Sequence, residues 1–93
     1  MALDAEIHAP ARLQLMTMLS AVSEVEFATL RARLDVSDSV LSKHLSALTD
    51  AGYLKTRKGM HDGRRTTWVK ITRSGNQALK RHVKALRELI DDI

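Results

Sequence analysis

The alternation of apolar and polar positions is clearest between Ser37 and Leu54, where a helical pattern is followed directly by the pattern of a strand. Ser37 is a suitable N-cap, because its hydroxyl can accept a hydrogen bond from a backbone N–H that the first helical turn leaves free. The apolar residues that follow recur at helical spacing and form one stripe, made of Leu41, Leu45 and Leu48. Gly52 is the residue type that commonly ends a helix in the left-handed conformation. The segment therefore predicts a helix over residues 38–51 that runs straight into a strand.

Three further helices are predicted on either side of this segment. The first is expected over about residues 10–22, because proline is favourable in a first helical turn and no helix breaker follows it. Its apolar residues cover more than one core-facing stripe, which indicates two packing partners. A short helix is expected over about residues 28–34, directly after an alternating segment, Val25-Glu26-Phe27, that favours a short strand. A long helix is expected over about residues 73–92.

A β-hairpin is predicted between the glycine stop and the last helix, over about residues 53–72. The first strand alternates from Leu54 onwards, and the returning strand places three residues on one face, namely Thr67, Val69 and Ile71. Residues 58–65, KGMHDGRR, are expected to form the loop, since they contain two glycines and an Asp-Gly pair. Together the elements predict a mainly α fold with a small β-hairpin, in the α+β class.

Length and composition place the chain among single-domain globular proteins. Its 93 residues are 44% hydrophobic and 28% charged, so one core and a single domain over residues 1–93 are expected. The sequence has no apolar run of about 18 residues that could cross a bilayer. It also has no cysteine, which removes disulfides, thiolate metal sites and cysteine nucleophiles. A reducing, cytoplasmic location is consistent with that composition.

The net charge of +4 hides a strong segregation along the chain. Residues 1–54 carry four Lys/Arg and seven Asp/Glu, residues 55–73 carry seven and one, and residues 74–93 carry four and three. The three segments therefore have net charges of −3, +6 and +1. A basic block beside a polar helix is the electrostatic footprint of a phosphate-binding surface. A solvated hairpin that happens to be basic would show the same charge.

The order of these motifs is similar to that of a known family. The succession FATLRARLDVSDSVLSKHLSALTDAGYLKTRKG, followed by GRRTTWVKITRSG, resembles the winged helix-turn-helix of the MarR-like and ArsR-like bacterial transcriptional regulators. The resemblance covers about residues 10–90. It implies a three-helix core in which residues 38–51 are the DNA-recognition helix, a basic wing, and a homodimer built from the first and last helices.

The resemblance and the pattern together suggest which side chains contact duplex DNA. Short polar side chains and one lysine share the face of the third helix opposite its apolar stripe, and a cap residue and a histidine flank them: Ser37, Ser39, Ser42, Lys43, His44 and Ser46. The wing adds Lys58, Arg64 and Arg65. Lys43 is the expected base reader, through guanine O6 or N7. For His44, packing against the second helix and contact with DNA are both consistent with its position. For the wing arginines, the alternative is a tip kept soluble by charge.

Apolar residues in the terminal helices are the candidates for a dimer interface. In the last helix they are spaced four, three, four and three residues apart, which is a heptad seam, and the set comprises Leu79, Val83, Leu86, Ile90 and Ile93. Leu15 and Met18 are the candidates in the first helix. A seam of barely two heptads is also compatible with a C-terminal helix that folds along its own domain.

Other chemistries find little support in the sequence. The histidines His8, His61 and His82 and the nearby carboxylates do not form a compact set of metal ligands, so no metal and no cofactor are expected. A glycine-rich phosphate loop and a nucleophile beside a base are both missing, which argues against an enzyme. The expected function is sequence-specific binding of an inverted-repeat operator as a homodimeric regulator, with repression favoured because there is no spare domain. A small-molecule effector is implied by analogy alone, and the alternative function is a winged-helix protein-interaction module.

Overall fold

The computed structural model describes residues 3–93, and Met1 and Ala2 of the expected 1–93 domain lie outside the described residues. Four helices and three strands follow one another in this part of the chain: α1 Pro10–Ser20, β1 Val25–Glu26, α2 Phe27–Leu34, α3 Asp38–Asp50, β2 Leu54–His61, β3 Arg64–Ile71 and α4 Arg73–Asp91. The strands form one antiparallel sheet in the order β1-β3-β2. The predicted α+β class is confirmed, with the short strand β1 completing the sheet.

The helix α1 is shorter than the sequence predicts. It begins at Pro10 and ends at Ser20, two residues before the expected end at Val22. Beyond Ser20 the backbone N–H of Val22 donates to the oxygen of Leu19, three residues back, which is a turn and not an α-helical hydrogen bond. Val22 is 47% exposed, so no tertiary packing stabilises another helical turn there.

The ends of α3 follow from single residues. At its start, the Ser37 hydroxyl oxygen accepts a hydrogen bond from the backbone N–H of Val40 at 3.2 Å. At its end, Gly52 has a φ of +82°, and the backbone N–H of Tyr53 donates to the oxygen of Leu48 at 2.9 Å. This is a Schellman motif, in which a left-handed glycine lets the last carbonyls of a helix find donors. The motif turns the chain from α3 directly into β2.

The first turn of α4 packs tightly on the start of the hairpin. Thr72 caps the helix, because its hydroxyl oxygen accepts a hydrogen bond from the backbone N–H of Gly75 at 2.9 Å. The same hydroxyl donates to the backbone oxygen of Gly52 at 2.7 Å. A Cβ at Gly75 would overlap the backbone oxygen of Tyr53, so only glycine allows this approach. These contacts fix α4 relative to the junction between α3 and β2.

The hairpin has a much shorter loop than expected. β2 and β3 pair along their whole length, from Leu54 opposite Ile71 to His61 opposite Arg64. Asp62 and Gly63 alone form the turn, and both have positive φ angles, of 50° and 77°. Two left-handed residues in sequence make the type I′ turn, whose twist matches that of paired strands. The prediction of a loop over residues 58–65 is therefore wrong, because most of that segment lies in the two strands.

Two of the residues that were predicted to form a dimer interface are buried in the core of the single chain. Apolar side chains from the N-terminal turn, all four helices and both long strands form one buried cluster, which includes Ile7, Met16, Leu19, Leu30, Leu41, Leu48, Leu54 and Val69. Leu15 is 0% exposed and Leu79 is 7% exposed in this cluster, so both already pack in their own protomer. Their assignment to a dimer interface is corrected accordingly. Within residues 3–93, no helix is both long enough and apolar enough to cross a bilayer.

Candidate nucleic-acid interface

The outer face of α3 consists of short polar side chains around one lysine. The buried stripe of Leu41, Leu45 and Leu48 holds the helix on the core, and the opposite face is exposed and comprises Ser39, Ser42, Lys43 and Ser46. Lys43 has no ion-pair partner in residues 3–93. Ser37 differs from its neighbours, since its hydroxyl oxygen caps the helix and lies 3.2 Å from the Ser39 hydroxyl. This face offers hydrogen-bond donors and acceptors on side chains that are mostly short.

An ion pair between helices sets the start of α3. Arg31 of α2 and Asp38, the first residue of α3, are joined by a 2.6 Å contact between Nη1 and Oδ1. The bond links α2 and α3 at the turn between them. The charge of Arg31 also offsets the negative charge of Asp38 at the N-terminus of α3. A helix N-terminus otherwise attracts anions through its free N–H groups and its dipole. Asp50, at the other end of α3, forms no ion pair within the described residues.

His44 lies beside Lys43 but has a different environment. The Nε of Arg12 in α1 donates to His44 Nδ1 at 3.0 Å, and Arg12 Nη1 pairs with Glu6 at 3.0 Å. Partial burial, followed by the charges of Arg12 and Lys43, lowers the pKa of His44 below its usual value. The ring is therefore neutral at neutral pH, as an Nδ1 acceptor requires. The polar partner of His44 is therefore α1, a contact that its position in the sequence does not predict.

The wing carries cations on both of its faces. Arg64 and Arg65 directly follow the turn as neighbours in β3, so their side chains lie on opposite faces of the hairpin. Both are exposed and form no ion pair within residues 3–93. Lys58 is also exposed, and its Nζ donates to Thr67 Oγ1 at 3.0 Å. The two-residue turn holds these three side chains within a short distance along the hairpin.

Two lysines lie opposite each other in the paired strands at the base of the wing. Lys55 of β2 lies directly opposite Lys70 of β3, and both are exposed. Like charges directly opposite one another destabilise a sheet, and Glu24, which borders the same cleft as both lysines, partly offsets their charge. Neither lysine is a candidate from the sequence alone, because only the pairing register of the two strands brings them together. They extend the basic surface of the hairpin from its tip to its base.

Arg57 is the wing cation whose charge is already compensated. Its guanidinium binds Glu24 through two contacts, Nε to Oε2 at 3.1 Å and Nη2 to Oε1 at 2.5 Å, and the hydrogen bonds from Arg57 lower the pKa of Glu24. The guanidinium also lies 5.5 Å from the centre of the Trp68 ring. Gly59 leaves room for this arrangement, since a Cβ there would lie 2.9 Å from Trp68 Cδ1. These contacts of Arg57 with Glu24 and Trp68 hold the wing against the segment before β1.

An open cleft of about 700 Å³ separates the wing from the start of α2. Phe27 and Ala28 form its α2 side, and Lys58, Met60 and Arg65 are among its wing residues. Two of the predicted DNA-contacting cations therefore border one concave surface. Among residues 3–93, no three histidine, aspartate or glutamate side chains come close enough together to hold a metal ion.

Comparison with known proteins gives this arrangement a family. Residues 11–90 match the family model described as a winged helix DNA-binding domain. The chain belongs to this family. In a winged helix DNA-binding domain, α2 and α3 are the helix-turn-helix and the β2–β3 hairpin is the wing. The predicted resemblance is confirmed at this level.

Relatives and solved structures agree with that assignment. An uncharacterized protein of Methanocaldococcus jannaschii is 30% identical over 82 residues, which cover 88% of this chain and 89% of the relative. A transcriptional regulator homologue from Pyrococcus horikoshii OT3 is 31% identical, with a TM-score of 0.87 over 94% of this chain and 86% of that one. A MarR-family transcriptional regulator from Silicibacter pomeroyi is 26% identical, with a TM-score of 0.67 over 90% and 56%. The winged helix DNA-binding domain of this chain is therefore similar in structure to the domains of transcriptional regulators.

One relative is an enzyme. A riboflavin kinase of Halobacterium salinarum is 35% identical over 69 residues, which are 74% of this chain and 28% of the kinase. The match spans little more than a quarter of that protein, so it shows that a similar segment exists there and transfers no activity to the winged helix DNA-binding domain described here.

Proposed function

We propose that this protein is a homodimeric regulator of transcription in the cytoplasm that binds duplex DNA sequence-specifically and represses. In this proposal α3 enters the major groove, and the β2–β3 wing contacts the adjacent minor groove or its phosphates. The observation that carries the proposal is an exposed face of short polar side chains around Lys43, next to a hairpin most of whose cations form no ion pair within residues 3–93. The proposed activity is binding, without a catalytic step.

The two parts of the surface have different energetic roles in this proposal. Affinity for DNA comes largely from cations that release counterions from phosphates, whereas base contacts supply specificity. On α3, Lys43 is opposed by Asp50, and Asp38 is compensated by Arg31. The helix therefore adds little net charge. The wing supplies most of the affinity through Arg64, Arg65 and the lysines of its strands, and α3 discriminates between sequences.

The end of α4 supports the proposed homodimer. Ile90 is 63% exposed and Ile93 fully exposed, and Leu89 beside them is also exposed. Met18, Val83 and Leu86 are partly buried and continue the apolar surface toward the core. Large apolar side chains in a cluster are typical of an interface with another chain. Two-fold symmetry then places two copies of α3 about 34 Å apart, which is one turn of DNA.

Selection of bound duplexes from random DNA tests the proposal. The expected result is enrichment of an inverted repeat whose half-sites are about one helical turn apart, or a multiple of it. Repression needs only that the dimer occupies such a site. Failure to enrich any sequence over the starting pool would contradict sequence-specific binding and favour a winged-helix module that binds another protein.

A further inference from the structure

The N-terminal turn, residues 3–9, is tied to three other parts of the chain. The side chain of Ile7 is 0% exposed in the core, which anchors the turn on the domain. The backbone N–H of Asp4 donates to Nδ1 of the buried His82 in α4 at 2.9 Å. The carboxylate of Asp4 accepts a hydrogen bond from the hydroxyl of Tyr53, which lies between α3 and β2. The turn is therefore a fixed part of the domain that reaches both α4 and the end of α3.

Arg12 connects this turn to the middle of α3. Its Nη1 donates to Glu6 Oε2 at 3.0 Å and to the backbone oxygen of Glu6 at 3.4 Å, and its Nε donates to Nδ1 of His44 at 3.0 Å. The Arg12 side chain is 19% exposed, so water competes little for these bonds. A guanidinium carries its donors in one rigid plane, so the position of Glu6 determines the direction in which Nε points.

Two hydrogen-bonded contacts therefore connect α3 to the N-terminal turn. One is at His44, in the middle of the helix, and the other is at Tyr53, just beyond its end. The leucine stripe attaches α3 to the core, but apolar packing is not directional. Hydrogen bonds weaken steeply when their angle changes, so the two contacts limit the rotation of α3 about its axis and its sliding on the core. They thereby fix the direction in which the exposed face around Lys43 points.

We infer that Glu6 and Arg12 are positioning residues, which act through His44 to set the orientation of α3 and thereby its preference among DNA sequences. A binding site must hold its contacting side chains within about 0.5 Å of the productive geometry. Attraction to phosphates acts over a longer range, so a shift of α3 should lower affinity for the preferred sequence more than affinity for DNA in general. The inference deepens the proposed function and rests on it.

The contact between Arg12 and His44 should also make sequence preference depend on pH. Nδ1 of His44 accepts the hydrogen bond only while it carries no proton, and protonation would place two donors against each other. Among the described residues, the charges that act on the ring are those of Arg12 in α1 and Lys43 in α3, with Glu6 behind Arg12. Burial and these two cations lower the pKa of His44. The contact is therefore intact above about pH 6.5 and is lost as the pH falls through that lowered pKa.

A charge-preserving variant tests the positioning role. Arg12→Lys keeps the positive charge, but a single flexible ammonium group cannot donate to Glu6 and His44 in the same fixed geometry. The measured quantity is the ratio of the affinities for the duplex enriched by selection and for a scrambled duplex of equal composition. We expect Arg12→Lys to lower this ratio about fivefold, which corresponds to the loss of one hydrogen bond. Arg87→Lys, at an exposed position on α4, is the matched control and should leave the ratio unchanged.

A pH series separates positioning from folding and from general charge effects. Loss of folded protein reduces both affinities by the same factor, and an added positive charge raises both, so neither effect moves the ratio. The wild-type ratio should fall as the pH is lowered from about 7.5 to about 5. In His44→Asn, the amide oxygen can accept from Arg12 but takes up no proton in this range, so the ratio should not change with pH.

NMR of the histidine ring nitrogens in the chain without DNA tests the contact itself. At neutral pH the His44 proton should lie on Nε2 in the wild type, and Arg12→Lys should populate both tautomers. A wild-type proton on Nδ1, an unchanged affinity ratio in Arg12→Lys, or the same pH dependence in His44→Asn as in the wild type would overturn the inference. Failure to enrich any duplex would instead contradict the proposed function, so the two failures are distinguishable.

Discussion

At the scale of residues, Lys43 and His44 are neighbours in sequence with different environments. Lys43 is exposed without an ion pair in the described chain, whereas the His44 ring is partly buried and bound to Arg12. Lysine donates to guanine O6 or N7 in the major groove. His44 has one ring nitrogen already engaged, so it is better placed to orient α3 than to read a base.

Replacing Lys43 by alanine tests its proposed role as base reader. Loss of one good base contact should cost about 1–3 kcal/mol, and it should relax preference at one position of the half-site. Competition binding against single-base variants of the selected duplex measures both effects. Lys80→Ala removes the same charge from an exposed position on α4 and should preserve the preference. Unchanged base preference in Lys43→Ala would contradict the assignment.

Two histidines with lowered pKa values should make the stability of the protein depend on pH. The pKa values of His44 and His82 are both lowered, mainly by burial, whereas histidines of the unfolded chain titrate near pH 6.5. As the pH falls below about 6.5, the unfolded state binds protons first. The free energy of unfolding should therefore have its full value above that pH and decrease below it. Urea denaturation at a series of pH values measures this dependence. Ring NMR titration giving either histidine a pKa above the unfolded value would contradict this.

At the scale of elements, the wing combines a rigid base with free cations at its tip. The Arg57–Glu24 ion pair and the Trp68 ring hold β2 and β3 to the preceding segment. The Asp62-Gly63 turn then presents Arg64 and Arg65 on opposite faces. A rigid hairpin loses little entropy when it contacts a phosphate backbone, which is favourable for affinity.

Removing the tip arginines tests the role of the wing. Arg64→Ala with Arg65→Ala should weaken binding to all duplexes by a similar factor, and the slope of log affinity against log salt should become less steep by about 1 for each lost phosphate contact. Fluorescence anisotropy over a salt series measures both quantities. Lys80→Ala with Arg87→Ala is the matched control with equal loss of charge. An equal effect of the two pairs would show that only net charge matters.

Elements with local signals could be predicted from the sequence, and contacts between distant segments could not. The cap at Ser37, the leucine stripe and Gly52 together predicted α3 within one residue of its end. The Asp-Gly pair is also a signal for a two-residue turn, but the glycines and basic residues around it predict a longer loop, which the pairing of the strands shows to be wrong. Arg57 with Glu24, and Arg12 with His44, are more than 30 residues apart in sequence, and no periodicity links them.

At the scale of the whole molecule, the described chain is elongated, with principal extents of 51 × 25 × 21 Å. The helix α4 packs in the core through Ala78 and Leu79 and has a last buried residue at Ala85, whereas its residues from Arg87 onwards are exposed. The heptad spacing could not show this division, because a repeating stripe does not reveal where the domain core ends. The proposed interface therefore shifts toward the C-terminal end of α4.

Two acidic substitutions at that end test the homodimer. Ile90→Asp with Ile93→Asp should convert a dimer into a monomer in sedimentation velocity, because each charge would be buried in an apolar interface. Folding should be retained, since both side chains are exposed in the single chain. Ser74→Asp with Gln77→Asp adds the same charges at exposed positions near the start of α4 and should remain dimeric. A dimer that survives the isoleucine changes would place the interface elsewhere.

In the proposed complex, α3 discriminates between DNA sequences while the wing supplies affinity through phosphates. Its most direct test is the salt dependence of affinity for the selected duplex and for a scrambled duplex of equal composition. We expect both affinities to fall steeply with salt, with a log–log slope of about −4 or steeper, and the selected duplex to bind more tightly at every salt concentration. A flat salt dependence, or equal affinity for the two duplexes, would contradict it.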